Sequence, residues 1–128
     1  MIEYRNISKY KYELVSNYLI RLPFSPPHDI TTEYISFTTA GYLVIRDRYG
    51  WDGPSGPTID TEDFMRGSLV HDALYQLMRE GHLSTKFRKH ADKALKRICI
   101  EDGMSRVRAE YVYWAVRLGA KSCATPKY

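Results

Sequence analysis

The chain has 128 residues, of which 44% are hydrophobic and 27% charged, and its formal net charge is +4 at pH 7. This length and composition indicate one globular domain, and they exclude a two-domain dinucleotide enzyme and a chain disordered throughout. No apolar run approaches the roughly 20 residues that span a bilayer, and no apolar signal sequence is visible. We therefore expect synthesis in the cytoplasm, with no transmembrane segment and no signal peptide.

The first part of the chain, residues 1–48, is predicted to be strand-rich. Polar and apolar residues alternate over 9–15, and an apolar stretch continues to Leu22. Alternation returns over 33–38, and a third β-rich run covers 42–48 after a turn at Ala40-Gly41. These patterns predict two or three antiparallel strands.

Residues 49–61, YGWDGPSGPTIDT, are rich in Gly, Pro and Asp. Proline and glycine exclude a helix here and make strand pairing poor, so we expect an ordered loop with exposed carbonyl groups. The loop is either a turn-rich connection or a ligand-binding segment. Its candidate residues are Trp51, Asp52, Ser55, Gly56 and Asp60, and its aspartates are either turn-forming residues or oxygen ligands.

Residues 62–120 are predicted to form three helices, with 121–128 as a tail. Thr61 precedes the first helix and Gly81 ends it, Ser84 or Thr85 caps the second, and Ser105 caps the third. Apolar residues recur with helical spacing in each helix. In the third helix, the predicted apolar stripe consists of Val107, Tyr111, Ala115 and Leu118. Aromatic residues are expected in or near the core: Trp51, Phe64, Phe87, Tyr111 and Trp114.

The sequence thus predicts an α+β fold in a single domain, 1–128. A small N-terminal antiparallel sheet leads through a Gly/Pro-rich loop into a three-helix C-terminal unit.

The candidate site lies on the first two predicted helices. His71 and Tyr75 are four residues apart and share a helix face, and Asp72 follows His71. An antiparallel hairpin would bring Asp92 against His71 or Tyr75. A carboxylate on one imidazole nitrogen leaves the other free to take a proton from water. The alternative is a buried hydrogen-bonded cluster with a structural role.

Asp72 points about a quarter turn away from His71 and is a candidate metal ligand. Ca²⁺ prefers carboxylate and backbone oxygens, so Asp72 and carbonyl groups of the Gly-rich loop are its predicted ligands. No other cofactor is expected.

Basic residues form a stripe on the second helix: Lys86, Lys89, Lys93, Lys96 and Arg97. The stripe is either a solvated outer face or a surface that contacts phosphates or an acidic partner. Cys99 has no neighbouring His and no CxxC partner, which favours core packing over a nucleophile.

The chain resembles a small phage and prophage family, domain-of-unknown-function family 1353. The shared motifs are WDGPSGP at 51–57, SLVHDALY at 68–75, Arg88, Ala91-Asp92, Gly103 and YWAVRLG at 113–119. The similarity covers roughly residues 33–120 and implies a bacteriophage or prophage origin, with no particular activity.

The local pattern is also similar to the site of secreted phospholipases A2. That resemblance implies that His71 is a general base, that Asp72 holds Ca²⁺, and that Asp92 orients His71 with help from Tyr75. Gly50, Gly53 and Gly56 would lie in the calcium loop, with Asp52 beside them. Only two cysteines are present, where that family has many disulfides.

Two functions from different classes remain. The first is a phage-encoded hydrolase of ester or amide bonds that uses a His-Asp site with Ca²⁺, for which the cell envelope is a natural target. The second is a non-catalytic virion component or accessory interaction protein that binds another phage protein. A less favoured third is an anti-defence inhibitor that occupies a nucleic-acid site.

Overall fold

The structure is a computed structural model that describes residues 2–6, 12–53 and 61–126. The chain forms two compact units, Met1–Gly53 and Pro54–Tyr128. Antiparallel strands occupy the first unit and helices the second, so the predicted α+β class is confirmed. The boundary between the units falls within the predicted Gly/Pro-rich loop.

The described part of the first unit contains two antiparallel sheets. One has the order β1-β2-β7 and the other the order β3-β6-β5-β4. The strands are β1 (Tyr4–Asn6), β2 (Tyr12–Leu14), β3 (Tyr18–Arg21), β4 (Ile30–Thr31), β5 (Ile35–Phe37), β6 (Tyr42–Ile45) and β7 (Gly50–Trp51).

The β5–β6 hairpin shows how side-chain alternation sets the register. Ile35 pairs with Ile45 and Phe37 pairs with Leu43, and all four side chains are fully buried. The matched pairs place both apolar faces on the same side of the sheet. Gly41 supplies the predicted turn with a φ of +91°, and a Cβ there would lie 2.8 Å from the Leu22 carbonyl oxygen.

The structure corrects two predictions about the strands. It has more strands than the two or three expected, because β1, β4 and β7 are too short to show periodicity. Residues 50–51 also pair with β2, although poor strand pairing was expected for this segment. Trp51 is buried against the rings of Tyr4 and Tyr12, which stabilises this short strand before the prolines begin.

The second unit contains three long helices and one short helix within its described residues. These are α1 (Glu62–Arg79), α2 (Arg88–Glu101), α3 (Arg106–Gly119) and α4 (Lys121–Ala124), with a 3₁₀ turn, Thr85–Phe87, before α2. Gly81 follows α1 with a φ of +82°, and the Ser105 hydroxyl caps α3 by accepting from the Arg108 amide. Helix α4 lies in the predicted tail. None of these described helices is both long and apolar enough to cross a membrane.

Contacts between side chains show that successive long helices run antiparallel. Arg66 near the start of α1 binds Asp102 just after α2, while Tyr75 further along α1 contacts Arg88 at the start of α2. Lys96 of α2 pairs with Glu110 of α3, while Arg88 earlier in α2 binds the Val116 carbonyl oxygen later in α3, so these helices are also antiparallel. The short connections therefore make consecutive helices antiparallel neighbours, as the sequence predicted for the first two helices.

Helix α3 presents a different face to the core from the predicted one. Its buried residues are Ala109, Val112 and Tyr113, which pack towards α2. The predicted stripe and the neighbouring Trp114 are instead exposed: Val107 83%, Tyr111 59%, Trp114 51% and Leu118 83%, with Ala115 also exposed. Two apolar stripes with helical spacing are present on α3, and only contact with α2 decides which one is buried.

Gly67→Ala should destabilise the helical unit. A Cβ at Gly67 would lie 2.9 Å from Cys99 Sγ and 3.0 Å from Leu95 Cδ1, and both neighbours are buried. Because these helices would have to separate, we expect a loss of about 1–3 kcal/mol in the free energy of unfolding. Urea unfolding followed by far-UV circular dichroism measures it.

Gly119→Ala is the matched control, because a Cβ there meets nothing within 4 Å. It should leave stability unchanged or raise it slightly, since alanine favours helix. Equal stabilities for the two variants would contradict the close helix approach at Gly67.

Candidate functional site

Three side chains converge on the carboxylate of Asp92, which is completely buried. His71 Nε2 lies 2.7 Å from Asp92 Oδ1, and the Tyr75 hydroxyl donates to the same oxygen at 2.6 Å. Arg117 donates from a guanidinium nitrogen to Asp92 Oδ2 at 2.9 Å. Both carboxylate oxygens are therefore bound, by donors from α1 and α3 to an acceptor on α2.

The helices position these groups for simple geometric reasons. His71 and Tyr75 are one turn apart on α1, so both face the same neighbour, and their ring centroids are 4.1 Å apart. The antiparallel α2 brings Asp92 opposite them. Arg117 lies in the last turn of α3, which runs antiparallel to α2 and so ends near this level. The structure thus brings together the predicted residues His71, Tyr75 and Asp92.

The pKa of Asp92 is lowered in the folded protein. Burial favours the neutral acid and raises the pKa, but the hydrogen bonds from His71, Tyr75 and Arg117 outweigh it and stabilise the charged form. Asp92 is consequently an ionised carboxylate near neutral pH. A buried carboxylate of this kind accepts hydrogen bonds and donates none.

This charge determines which nitrogen of neutral His71 carries the hydrogen. Because Asp92 accepts only, Nε2 is the protonated nitrogen, and Nδ1 presents a lone pair. Nδ1 has no hydrogen bond to any described residue, and no fully buried side-chain nitrogen or oxygen in that part of the chain lacks a partner. Nδ1 is therefore the open proton acceptor of the cluster, on a side chain that is 7% exposed.

Tyr75 remains a neutral phenol that links two charged groups. Burial raises its pKa above the ordinary value, and the neighbouring Asp92 raises it further, while Arg88 acts in the opposite direction. The hydroxyl donates to Asp92 and accepts from Arg88 Nε at 3.1 Å. A phenol can do both only while it keeps its proton.

Arg88 and Arg117 are the site residues that the sequence argument did not assign. Arg88 also donates to the carbonyl oxygens of Val116 and Arg117 at 2.8 and 2.6 Å, which binds the start of α2 to the end of α3. The sequence did contain a signal for Arg88, because it lies four residues before Asp92 and so shares its helix face. No comparable spacing connects Arg117 to Asp92.

The predicted calcium ligands lie in both units. Asp72 is half-buried on α1, while Gly50, Asp52 and Gly53 belong to the strand unit, where Asp52 is exposed. Ser55, Gly56 and Asp60 lie outside the described residues. Among residues that the structure describes, no group of three or more His, Cys, Asp and Glu side chains could hold a metal. The predicted site is of another kind, since it combines the two carboxylates of Asp72 and Asp52 with backbone carbonyl groups.

The predicted basic stripe divides into two parts. Lys96 pairs with Glu110, and Arg97 lies 3.6 Å from Glu101, so this end forms ion pairs within the protein. Lys86, Lys89 and Lys93 are exposed. Cys99 is fully buried, and burial raises the pKa of its thiol to about 12, so it is a packing residue and not a nucleophile.

Comparison with protein-family models, with curated proteins and with solved structures finds no match for this chain.

The lowered pKa of Asp92 predicts that its contribution to the free energy of unfolding is lost in acid. An aspartate in an unfolded chain titrates near about 3.9, so the contribution of ionised Asp92 is complete above about pH 5 and is lost as the pH falls below about 4. The difference in unfolding free energy between wild type and Asp92→Asn should therefore shrink in acid. Urea unfolding between about pH 3 and pH 6 measures it.

Glu110→Gln is the control for this experiment. The pKa of Glu110 is also lowered, by hydrogen bonds from Lys96 and Trp114, but the carboxylate is exposed. This variant should keep most of the wild-type pH dependence. A difference between wild type and Asp92→Asn that stays constant through the range would contradict an ionised Asp92.

Proposed function

We propose that the protein is a small hydrolase in which His71 is the general base for a water molecule. The observation that carries the proposal is the 2.7 Å contact between His71 Nε2 and a completely buried Asp92 carboxylate. This contact directs the imidazole lone pair on Nδ1 away from Asp92. A positioned imidazole of this kind is a frequent general base in enzymes.

The reaction requires only a proton acceptor and a carboxylate that stabilises the resulting charge. Water attacks the carbonyl carbon of an ester or amide while Nδ1 takes one of its protons. The imidazolium is stabilised by Asp92, which Tyr75 and Arg117 hold in place. His71 then returns the proton to the leaving oxygen or nitrogen as the carbon–heteroatom bond breaks. General base catalysis contributes about 10²–10⁴-fold to such rates.

Calcium has a defined place in this proposal. Asp72 would hold the ion, and the ion would supply positive charge near the substrate carbonyl oxygen. A carboxylate adjacent to the base on α1 is suited to this role. The proposed substrate is an ester or amide of the bacterial cell envelope, in keeping with the resemblance to a phage family.

His71→Ala should abolish hydrolysis, with a rate loss of about 10²–10⁴-fold, because no other group in the cluster can accept the proton. Asp92→Asn should lower the rate over the same range if the variant folds. The assay uses nitrophenyl esters of short and medium acyl chains and diacyl phospholipid vesicles, with Ca²⁺ or with a chelator. A response to Ca²⁺ that Asp72→Asn removes would support the metal site.

His90→Ala is the matched control, since His90 is an exposed histidine on α2. It should retain wild-type activity. Thermal melting of each variant separates loss of chemistry from loss of fold. A folded His71→Ala protein with wild-type activity, or no His71-dependent hydrolysis of any substrate, would contradict the proposal.

The second candidate is a non-catalytic interaction protein, in which the same cluster has a structural role. The observation that favours it is that Asp92 connects α1, α2 and α3 through fully bonded oxygens. In this case His71→Ala would cost about 1–3 kcal/mol of stability, because Asp92 loses a donor, and no hydrolysis would be found. Co-purification with another phage protein would then be expected.

A further inference from the structure

A groove of about 410 Å³ lies on the helical unit, beside the Asp92 cluster. It is formed where the 3₁₀ turn and the start of α2 approach the end of α3 and the residues of α4. Five of the nine residues that line it are cationic, and none is Asp or Glu. The cationic residues are Lys86, Arg88, Lys89, Arg117 and Lys121, and the others are Thr85, Ala124, Thr125 and Pro126. Its volume is typical of a small-molecule site.

The positive charge of this groove is only partly balanced by the protein. Within the described chain, Lys86, Lys89 and Lys121 form no ion pair. Arg88 binds the Tyr75 hydroxyl and two carbonyl oxygens, and none of these carries a negative charge. Arg117 uses a single nitrogen to bind Asp92. Among the described residues, the one carboxylate paired with any of these five cationic groups is therefore Asp92, through Arg117.

Like charges held together in this way repel one another unless an anion binds among them. Two other basic residues of α2, Lys96 and Arg97, do have carboxylate partners. In the groove, none of the three lysines has such a partner among the residues that the structure describes. The contacts of Arg88 and Arg117 also hold both guanidinium groups in place before any ligand binds, which reduces the entropy lost on binding.

We propose that this groove binds a terminal phosphate group with two negative charges, as found in a phosphate monoester, whether on a soluble organic molecule or on a lipid headgroup. Planar guanidinium groups match the geometry of phosphate oxygens, and lysines add charge from flexible stems. The hydroxyl of Thr85 adds a neutral donor to the wall, whereas the Thr125 hydroxyl already donates to the Lys121 carbonyl oxygen at 2.9 Å. The proposal does not depend on hydrolysis at His71, because the three lysines are not part of the Asp92 cluster.

The test is a titration of the full chain with inorganic pyrophosphate, followed by calorimetry and thermal melting. Pyrophosphate should raise the melting temperature of wild type in a concentration-dependent way. The double variant Lys86→Ala/Lys89→Ala, and separately Lys121→Ala, should bind it about tenfold more weakly or worse. These lysines are exposed, so the variants should fold.

Lys93→Ala is the matched control, since Lys93 is exposed on the same helix but does not line the groove. It removes one positive charge, as Lys121→Ala does, and should change the affinity by less than about twofold. This comparison distinguishes the groove from general attraction to a basic surface.

Two further arms identify the source of the phosphate. Binding of glycerol phosphate in solution would indicate a free organic phosphate. Binding only to phosphatidylcholine vesicles that contain phosphatidic acid, and not to vesicles without it, would indicate a lipid headgroup. Either result supports the site if the double variant loses it. No binding by wild type, or equal loss in Lys93→Ala, would overturn the proposal.

Discussion

The buried carboxylate of Asp92 is the constraint on which the helical unit depends. An ionised carboxylate removed from water is costly unless donors replace its hydration. Here His71, Tyr75 and Arg117 supply them, from the helices on either side of α2. The requirement ties the rotation of α1 and the end of α3 to one point on α2. Removing a single neutral donor from such a group typically costs about 1–3 kcal/mol.

The same constraint determines the chemistry that His71 can perform. A carboxylate that only accepts assigns the hydrogen to Nε2 and leaves Nδ1 as a base. The contacts of Asp92 would be the same in a catalytic site and in a purely structural cluster. Its burial and its hydrogen bonds therefore do not distinguish the two roles. The nitrogen that does not face Asp92 is the atom at which an enzyme and a purely structural cluster would differ.

Helical periodicity carried the sequence argument furthest. It located α1 and α2, and short connections implied the antiparallel hairpin that places Asp92 opposite His71 and Tyr75. The same reasoning predicted the wrong buried face for α3. That helix has two apolar stripes, and contact with α2 decides which one is buried. Because that rotation could not be predicted, the role of Arg117 could not be either. Strand β7 has only two residues, which is too few for any periodic signal.

The most direct test of the account is the tautomer of His71, measured by ¹⁵N nuclear magnetic resonance of the imidazole nitrogens. The ¹⁵N shifts also distinguish a neutral ring from an imidazolium, so the tautomer is assigned at a pH where they show a neutral ring. The account predicts a protonated Nε2 and an unprotonated Nδ1 in wild type, with this preference weakened in Asp92→Asn. A hydrogen on Nδ1 in the wild-type protein would contradict both the ionised Asp92 contact and the proposed base.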